Sequence, residues 1–240
     1  MNVFIAGATG VLGRPSIRIL VARGHRVFAM TRQAGLQREL MAAGAVPVVQ
    51  DAFDAEGVER ALRATRPDAV VHQLTDLALL HDPSRLREAL ERNARLREIG
   101  TANLVAAALA AGVGRIVAQS IAWFYRPGPE PHLEDAPLDL HASGLLAISV
   151  GAVAALERAV LSTAGIRGCV LRYGQLYGPG TGSDAAEDRD VPLHVEAAAW
   201  ASVLALEQQA AGVYNVAERN GHVSTEKIRR ELGWNEGLRA

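Results

Sequence analysis

The chain has 240 residues, which is enough for one sizeable domain and short for two. Hydrophobic residues make up 49% of it and charged residues 21%, and this globular composition excludes a disordered chain. The formal net charge of −1 leaves no basic surplus for nucleic acid or an anionic membrane, so neither is expected as a partner.

Export and membrane signals are not evident in the sequence. The first residues enter a Gly-rich strand pattern without the basic region, apolar stretch and cleavage site of a secretory signal. The long uncharged stretch at residues 142–156 is shorter than the roughly 20 apolar residues that a membrane span needs. Cys169 is the single cysteine, so it has no partner for an intrachain disulfide. We therefore expect a cytoplasmic protein.

Short apolar runs rich in Val and Ile alternate with longer Ala-, Leu- and Arg-rich segments of helical period. This alternation is typical of a parallel sheet with crossover helices. The predicted strands are residues 2–6, 26–31, 46–50, 69–73, 115–120 and 168–173. The predicted helices between them are residues 11–23, 36–43, 55–64, 84–111 and 143–164. Together they predict an α/β fold with a doubly wound parallel sheet of the Rossmann type.

Two loops interrupt the alternation. Residues 126–139 hold four of the ten prolines, and residues 178–190 are rich in Gly and Asp. Both follow strands at the carboxyl edge of the sheet, where doubly wound folds bind ligands, so we expect them to border the site. The remaining predicted elements are a helix at 195–208, a strand at 212–216 and a helix at 225–232. We expect one domain, residues 1–240, in which residues 173–240 contribute a small C-terminal substrate lobe.

Three glycines, Gly7, Gly10 and Gly13, follow the first predicted strand and open the first helix. Glycines permit a tight turn and let the backbone approach a pyrophosphate, which then sits on the N-terminus of the helix. The pattern stands at the opening of a βαβ unit, and in that context it predicts dinucleotide binding. The residues assigned to the cofactor in this turn are Gly7, Thr9, Gly10, Val11, Leu12, Gly13 and Arg14.

Cofactor selectivity is predicted from the charges near the second strand. NAD selectivity normally requires a carboxylate there, which binds the ribose hydroxyls. The first acidic residue of the chain is Glu39, whereas Arg14 and Arg32 stand where they could pair with a 2′-phosphate. The sequence therefore favours NADP, with NAD as the alternative in which both arginines are ordinary solvated residues.

The glycine turn and several later segments resemble the short-chain dehydrogenase/reductase superfamily, specifically its extended and atypical branch of NAD-dependent epimerases and dehydratases, with an NmrA-like sensor as the alternative. The other segments that carry the resemblance are residues 70–74, 100–104, 112–116, 171–172, 177–180, 193–195 and 230–234. The resemblance implies further cofactor contacts beyond the turn. These are Asp51 and Ala52 toward the adenine, His72, Gln73 and Leu74 along the ribose, and Tyr173 after the sixth strand.

The departures from this family concern its catalytic residues. The family's redox chemistry rests on a Tyr-x-x-x-Lys pair, in which the Lys lowers the pKa of the Tyr, and on a Ser or Thr that polarises the substrate. Lys227 is the only lysine, and Val223 stands four residues before it, so the pair cannot exist in this chain. The alignment that the resemblance implies puts Ser149 at the Tyr position and Val153 at the Lys position.

Ser120 and Tyr125 are the catalytic candidates that remain. Ser120 ends the fifth strand, one residue before the position that aligns with the family's Ser or Thr, and Tyr125 follows in the loop. Residues at this edge of a sheet often carry sites, so both could meet a substrate beside the nicotinamide. Tyr177, His132 and His141 are further loop candidates. The His and Cys residues lack the spacing of a zinc site, so no metal is expected.

Three functions are consistent with these observations. The first is an NAD(P)-binding, epimerase/dehydratase-like oxidoreductase that acts on a small or apolar substrate without the usual Tyr and Lys, because the short lobe offers little to hold a nucleotide-sugar. The second is a non-redox enzyme that catalyses an elimination, isomerisation or cyclisation, and the third is a non-catalytic NADP sensor. We also expect a homodimer built on helices 84–111 and 143–164, because the uncharged run in the latter leaves no polar face.

Overall fold

The computed structural model describes residues 1–80, 82–187 and 189–240, and within them nine strands form two sheets. The strands are β1 Asn2–Ala6, β2 Arg26–Thr31, β3 Val46–Val49, β4 Ala69–His72, β5 Arg115–Ile121, β6 Arg167–Tyr173, β7 Gln175–Tyr177, β8 Pro192–His194 and β9 Gly212–Val216. The main sheet is parallel, with the order β3-β2-β1-β4-β5-β6-β9, and β7 pairs with β8 in a small second sheet. The predicted doubly wound fold is confirmed.

Helices cover both faces of the main sheet. They are α1 Gly13–Ala22, α2 Gln37–Ala42, α3 Ala55–Thr65, α4 Leu86–Arg95, α5 Thr101–Ala110, α6 Gly144–Ser162, α7 Val195–Glu207 and α8 Glu226–Leu232. The predicted helix 84–111 consists of α4 and α5, which are joined by the π-helical segment Leu96–Gly100. One extra residue per turn in such a segment changes which side chains point inward, and π segments are frequent at functional sites.

Two hydrophobic cores lie on opposite faces of the main sheet because side chains alternate along each strand. In β1, Val3 and Ile5 belong to the core shared with α1, α7 and α8. Phe4 and Ala6 belong to the core shared with α3, α5 and α6. The central strands are therefore buried on both faces, which explains why their sequences are nearly continuous apolar runs.

Residues after position 173 contribute a strand and helices to the main sheet and its layers. The predicted strand 212–216 is β9, which pairs with β6 at the edge of the main sheet, and α7 packs against α1. Of the described residues after position 173, the short pair of β7 and β8 and its loop lie outside the main sheet and its helices. These two strands were not predicted, because three residues are too few to show a period.

Helix α6 is the one helix, in the part of the chain that the structure describes, whose length and composition would suffice to cross a membrane. It packs against α4, β5 and β6, and Val150, Val153, Leu156 and Val160 are buried along it. Those contacts are typical of a helix in a protein core.

The parallel order positions the site. All strands of the main sheet end at one edge, and the residues that follow β1, β2, β4, β5 and β6 meet there. This is the edge at which doubly wound folds bind ligands.

Candidate active site

Three adjoining cavities form one cleft along the carboxyl edge of the main sheet. The first, second and third cavities have volumes of about 170, 670 and 410 Å³. Thr9 and Gly10 line the first and third, Val11 and Gly180 line the second and third, and Thr75 lines the first and second. The cleft thus passes over the glycine turn and suits an extended ligand such as a dinucleotide.

The glycine turn is packed backbone against backbone. Gly7 has φ +89°, and a Cβ atom there would lie 2.5 Å from the carbonyl oxygen of Gln73. A Cβ atom on Gly13 would lie 2.3 Å from the carbonyl oxygen of Gly7. A side chain at Gly7 would push the turn away from the residues after β4, and one at Gly13 would push the start of α1 away from the turn. The positive end of the α1 dipole therefore lies at the cleft, where it favours a phosphate.

The first cavity lies between the ends of β2, β3 and β4. Asp51 is the carboxylate in its described lining, and its Oδ1 accepts a hydrogen bond from the N–H of Phe53 at 2.9 Å. Arg32 lines the same cavity with a half-exposed side chain, and its Nη2 lies 3.8 Å from Oδ2 of Asp76. Arg14 instead lines the third cavity, where it pairs with Glu39. Only Arg32 of the two arginines is at the end of β2.

Most of the predicted cofactor residues line the cleft. Those in the first cavity are Gly7, Thr9, Gly10, Arg32, Asp51, Ala52, Gln73 and Leu74. Val11 lines the second and third cavities, Arg14 the third, and Tyr173 the second. Leu12, Gly13 and His72 line none of the three; Leu12 packs into the core beneath the turn, and Gly13 supports the turn from within.

His72 was expected at the cofactor ribose, but its ring lies behind the cavity wall. Its Nε2 is 2.8 Å from Oγ1 of Thr101, and its Nδ1 accepts a hydrogen bond from the N–H of Leu74 at 3.2 Å. Complete burial, with a smaller effect of the Arg97 charge, lowers the pKa of His72 to about 4. The ring is neutral at pH 7 and holds the backbone of Leu74, which does line the cavity.

Buried polar atoms without a hydrogen-bond partner concentrate at the cleft. Among the described residues they occur on Gln73, Arg97 and Tyr173, and on Arg229 and Glu236, which form an ion pair with each other. Gln73 lines the first cavity, and Arg97 and Tyr173 line the second. Buried polar groups normally have partners, so these three residues fit a ligand that supplies polar groups along the cleft.

The second cavity has mainly apolar and aromatic walls. Trp123 and Phe124 pack edge to face on one side, with ring centroids 5.9 Å apart. The other apolar side chains that line it are Val11, Leu77, Leu80, Leu90, Ile121 and Leu176. Its size and composition suit a small organic molecule with a flat ring.

Ser120 lines this cavity, but its hydroxyl already donates a hydrogen bond within the protein. Its Oγ donates to Oε1 of Glu157 at 2.6 Å, and the same carboxylate accepts from Nε and Nη2 of Arg172 at 2.9 and 2.7 Å. All three side chains are buried. The Arg172 guanidinium therefore holds the carboxylate that binds the hydroxyl of Ser120, so Ser120 is poorly placed to give its proton to a substrate.

Tyr125 does not line any of the three cavities. Its hydroxyl donates to Oδ1 of Asn215 at 2.5 Å, and its ring stacks on His132 and lies under the guanidinium of Arg172. Burial raises the pKa of Tyr125. Tyr125 thus lies outside the cavity that Ser120 lines, contrary to the expectation that both meet the substrate. The other loop candidates, Tyr177, His132 and His141, are also outside the lining of these cavities.

The positions aligned with the family's catalytic pair differ in their surroundings. Ser149 lines the second cavity, whereas Val153 is buried in a cluster with Ile121 and Phe124. Lys227 is on α8, where its Nζ donates to the carbonyl oxygen of Val213 at 2.7 Å, outside the three cavities. The single lysine thus does not enter this site.

Three buried polar residues of the second cavity were not predicted from the sequence, namely Arg97, Asn93 and Gln119. The other buried polar residues that line it are Ser120, Ser149 and Tyr173. Arg97 and Asn93 lie in a segment with many arginines, so nothing in the sequence distinguishes the one that points inward. Gln119 occupies a predicted strand, where its Nε2 donates to the carbonyl oxygen of Leu74 at 3.3 Å.

Comparisons with known sequences place these residues in a family. A model of the NAD dependent epimerase/dehydratase family matches residues 3–199. The 3-diazoavenalumate denitrifying reductase of a Streptomyces species is 47% identical over 238 residues, which cover 91% of this chain and 76% of the relative. A dTDP-4-dehydro-6-deoxy-D-allose reductase, also from Streptomyces, is 29% identical over 203 residues, 80% of this chain and 60% of the relative.

Solved structures agree with the fold. The UDP-glucose 4-epimerase of Stenotrophomonas maltophila, with bound NAD and formylated UDP-arabinopyranose, has a TM-score of 0.80 and 18% identity over 98% of this chain and 93% of its own. The UDP-glucose 4-epimerase of Thermus thermophilus, in complex with NAD, has a TM-score of 0.70 and 26% identity over 100% and 86% of the two chains.

The ion pair of Arg172 and Glu157 yields a stability prediction. Arg172→Met leaves the Glu157 carboxylate buried without its partner, and we expect the free energy of unfolding to fall by about 3 to 5 kcal/mol. The exposed pair of Arg63 and Glu59, with a 2.7 Å contact, provides the control: Arg63→Met should cost less than about 1 kcal/mol. Urea denaturation measures both, and equal losses in the two variants would contradict the assigned role of the buried pair.

Proposed function

The chain belongs to the NAD-dependent epimerase/dehydratase family of extended short-chain dehydrogenases/reductases, and on that premise we propose that it is an NADPH-dependent reductase of a small aromatic substrate that carries a diazo group. The similarity to a denitrifying reductase of 3-diazoavenalumate supports the substrate class. The similarity to a sugar reductase supports reduction more generally.

One observation carries this proposal: the second cavity has an apolar, aromatic wall but not the family's proton-donating pair. Reduction of a carbonyl produces an alkoxide that must be protonated, which is the task of that pair. On the alignment that the resemblance implies, Ser149 stands at the Tyr position and Val153 at the Lys position. The hydroxyl of Ser120 donates to Glu157. A substrate whose reduction needs no proton from the protein therefore suits this site better than a ketone.

A diazo group has this property. When bound, the reduced nicotinamide supplies a hydride, and with an aryl diazonium group the reaction balances as Ar–N₂⁺ plus H⁻ giving Ar–H and N₂. The carbon that accepts the hydride becomes a C–H carbon and the nitrogen leaves as N₂, so the reacting group needs no proton from the site. The tasks left to the chain are to bind the ring against Trp123 and Phe124 and to exclude water with the leucines of the second cavity.

The residues that would hold the cofactor are those of the glycine turn and of the first cavity. The turn and the N-terminus of α1 would bind the pyrophosphate. Asp51 and Arg32 would contact the adenosine end. Gln73 and Tyr173, whose side-chain polar atoms have no hydrogen-bond partner, would hydrogen-bond to the nicotinamide half.

We expect the purified protein to reduce a diazo-substituted hydroxycinnamate with NADPH, releasing dinitrogen, at least about 10²-fold faster than the corresponding acetyl compound, because only the ketone needs a general acid. The loss of NADPH absorbance measures the turnover of both substrates. Mass spectrometry of isotope-labelled dinitrogen measures the product released from the diazo compound. A reaction without protein corrects for spontaneous reduction.

Two further results bear on this proposal. Tyr125→Phe is a matched control that should keep the wild-type turnover, because the hydroxyl lies outside the cavity and binds Asn215. Faster turnover of the ketone than of the diazo compound would contradict the proposal. Tight binding of NADPH without consumption on either substrate would also contradict it, and would favour a non-redox enzyme or a sensor.

The preference for NADPH is the second part of the proposal. Arg32 has only a loose contact with Asp76, 3.8 Å long, and is half exposed, so its guanidinium can turn to a 2′-phosphate at little cost. We expect NADPH to bind about 10- to 10²-fold more tightly than NADH, the value of one charge-assisted contact.

Fluorescence titration of both cofactors measures this preference. Arg32→Asp should abolish or reverse it, because the charge that attracts the 2′-phosphate becomes repulsive. Arg167→Asp makes the same charge change at the opposite edge of the sheet, on an exposed residue at the start of β6, and should leave the preference unchanged. Equal affinities in the wild type, or an unchanged ratio in Arg32→Asp, would show that Arg32 does not select the cofactor.

We further propose that the protein is a homodimer through helices 84–111 and 143–164. Large apolar side chains are exposed on these helices, including Leu109 and Leu146, which are 48% and 47% exposed. A second copy of the chain would cover them.

We expect a dimer by light scattering at micromolar concentration, and a monomer for the double variant Leu109→Glu and Leu146→Glu. Leu133→Glu, on an equally exposed loop leucine, should remain a dimer, and a monomeric wild type would disprove the assembly.

A further inference from the structure

Arg97 is a buried cation on the wall of the second cavity. It lies in the π-helical segment Leu96–Gly100, and only 4% of the residue is exposed, whereas the next two residues, Glu98 and Ile99, face outward. The π-helical segment thus turns one arginine of an otherwise solvated, charged helix into the protein. π segments of this kind are frequent at functional sites.

Arg172, the other buried arginine of the described residues, has the ion-pair partner that Arg97 lacks. Arg172 has a carboxylate partner, Glu157, bound through two nitrogens. Arg97 forms no ion pair within the described part of the chain, and its Nε has no hydrogen-bond partner. Burial lowers the pKa of Arg97 to about 10, so Arg97 stays cationic at pH 7. His72, whose pKa is lowered by burial and by the Arg97 charge, is neutral there. A buried charge of this kind requires a counter-charge.

The cavity that Arg97 faces has no acid of its own in its described lining. It contains two arginines, Arg97 and Arg189, and the neutral polar side chains of Asn93, Gln119 and Ser149. Arg189 is partly exposed and donates to the carbonyl oxygens of Leu176 and Ala185, so its charge is at the rim. An acidic group on a molecule that enters the cavity would supply the counter-charge that the described lining lacks.

We propose that Arg97 is a substrate-specificity residue that binds the carboxylate of an aromatic or conjugated acid in the second cavity. This rests on the proposed function, and it adds the acidic group by which the substrate is held. A guanidinium binds a carboxylate with two parallel hydrogen bonds, which fix direction as well as charge. With the carboxylate at Arg97, the aromatic ring remains for the apolar walls of the same cavity, which include Trp123 and Phe124.

Binding of an unreactive probe tests this assignment without turnover. The probes are 4-hydroxycinnamate and its methyl ester, titrated by calorimetry into the protein with NADP⁺ present. We expect the acid to bind at least about 10- to 10²-fold more tightly than the ester, the value of a charged hydrogen-bonded pair. Arg97→Met and Arg97→Gln should remove this difference, and Arg97→Lys should keep part of it. Arg95→Met, on an exposed arginine two residues away, should keep all of it.

Thermal unfolding of the free protein separates binding from a structural role. Because Arg97→Met removes a buried charge without a partner, its Tm should equal or exceed that of the wild type, but it should no longer rise when the acid is added. A Tm well below that of the wild type would mean that Arg97 supports the fold. Equal binding of acid and ester to the wild type, no binding of either, or a preference that survives in Arg97→Met would overturn the assignment.

The two proposals fail separately. If the acid binds through Arg97 but no diazo compound is reduced, the reductase proposal fails and the anion site stands. If a diazo acid and its ester are reduced with the same KM, and Arg97→Met does not change it, the reductase proposal stands and the anion site fails.

Discussion

A guanidinium that leaves water needs a counter-charge, and the two buried arginines of the described residues differ in whether the protein supplies one. Arg172 has a carboxylate of the same chain, Glu157, and together they join β6 to α6. Arg97 has none in the described residues and faces the largest cavity of the cleft. The first arginine stabilises the fold around the site, and the second leaves the site with an unbalanced positive charge.

The same ion pair shapes the chemistry. Glu157 accepts a hydrogen bond from the hydroxyl of Ser120, so the side chain closest in sequence to the family's catalytic Ser or Thr position is bound within the protein. The single lysine, Lys227, has Val223 four residues before it, so the chain holds no Tyr-x-x-x-Lys pair. The chain thus combines a cleft and an apolar pocket with no Tyr-x-x-x-Lys pair, and this combination is the basis for proposing a substrate that is reduced without protonation.

The fold and the cofactor cleft were predictable from the sequence because both depend on local patterns. Apolar runs located the strands of the main sheet, and the glycine turn located the cleft. Side-chain direction was harder to predict. His72 is the last residue of β4, and Tyr125 lies in the loop after β5, where site residues are common. However, the ring of His72 lies behind the cavity wall, and the hydroxyl of Tyr125 binds Asn215 of β9. Arg97 was missed because the sequence does not reveal the π-helical segment that turns it inward.

The central claim is that the second cavity places an aromatic acid beside the nicotinamide without a protein acid or base at the reacting group. A crystal structure of the protein with NADP⁺ and 4-hydroxycinnamate tests this most directly. We predict that the carboxylate contacts Arg97, that the ring lies against Trp123 and Phe124, and that Ser120 still donates to Glu157. Tyr173 lines this cavity, and we assign its hydroxyl to the cofactor. That hydroxyl, or a His, Asp or Glu side chain, within about 3 Å of the ring carbon or substituent that faces the nicotinamide would contradict the account.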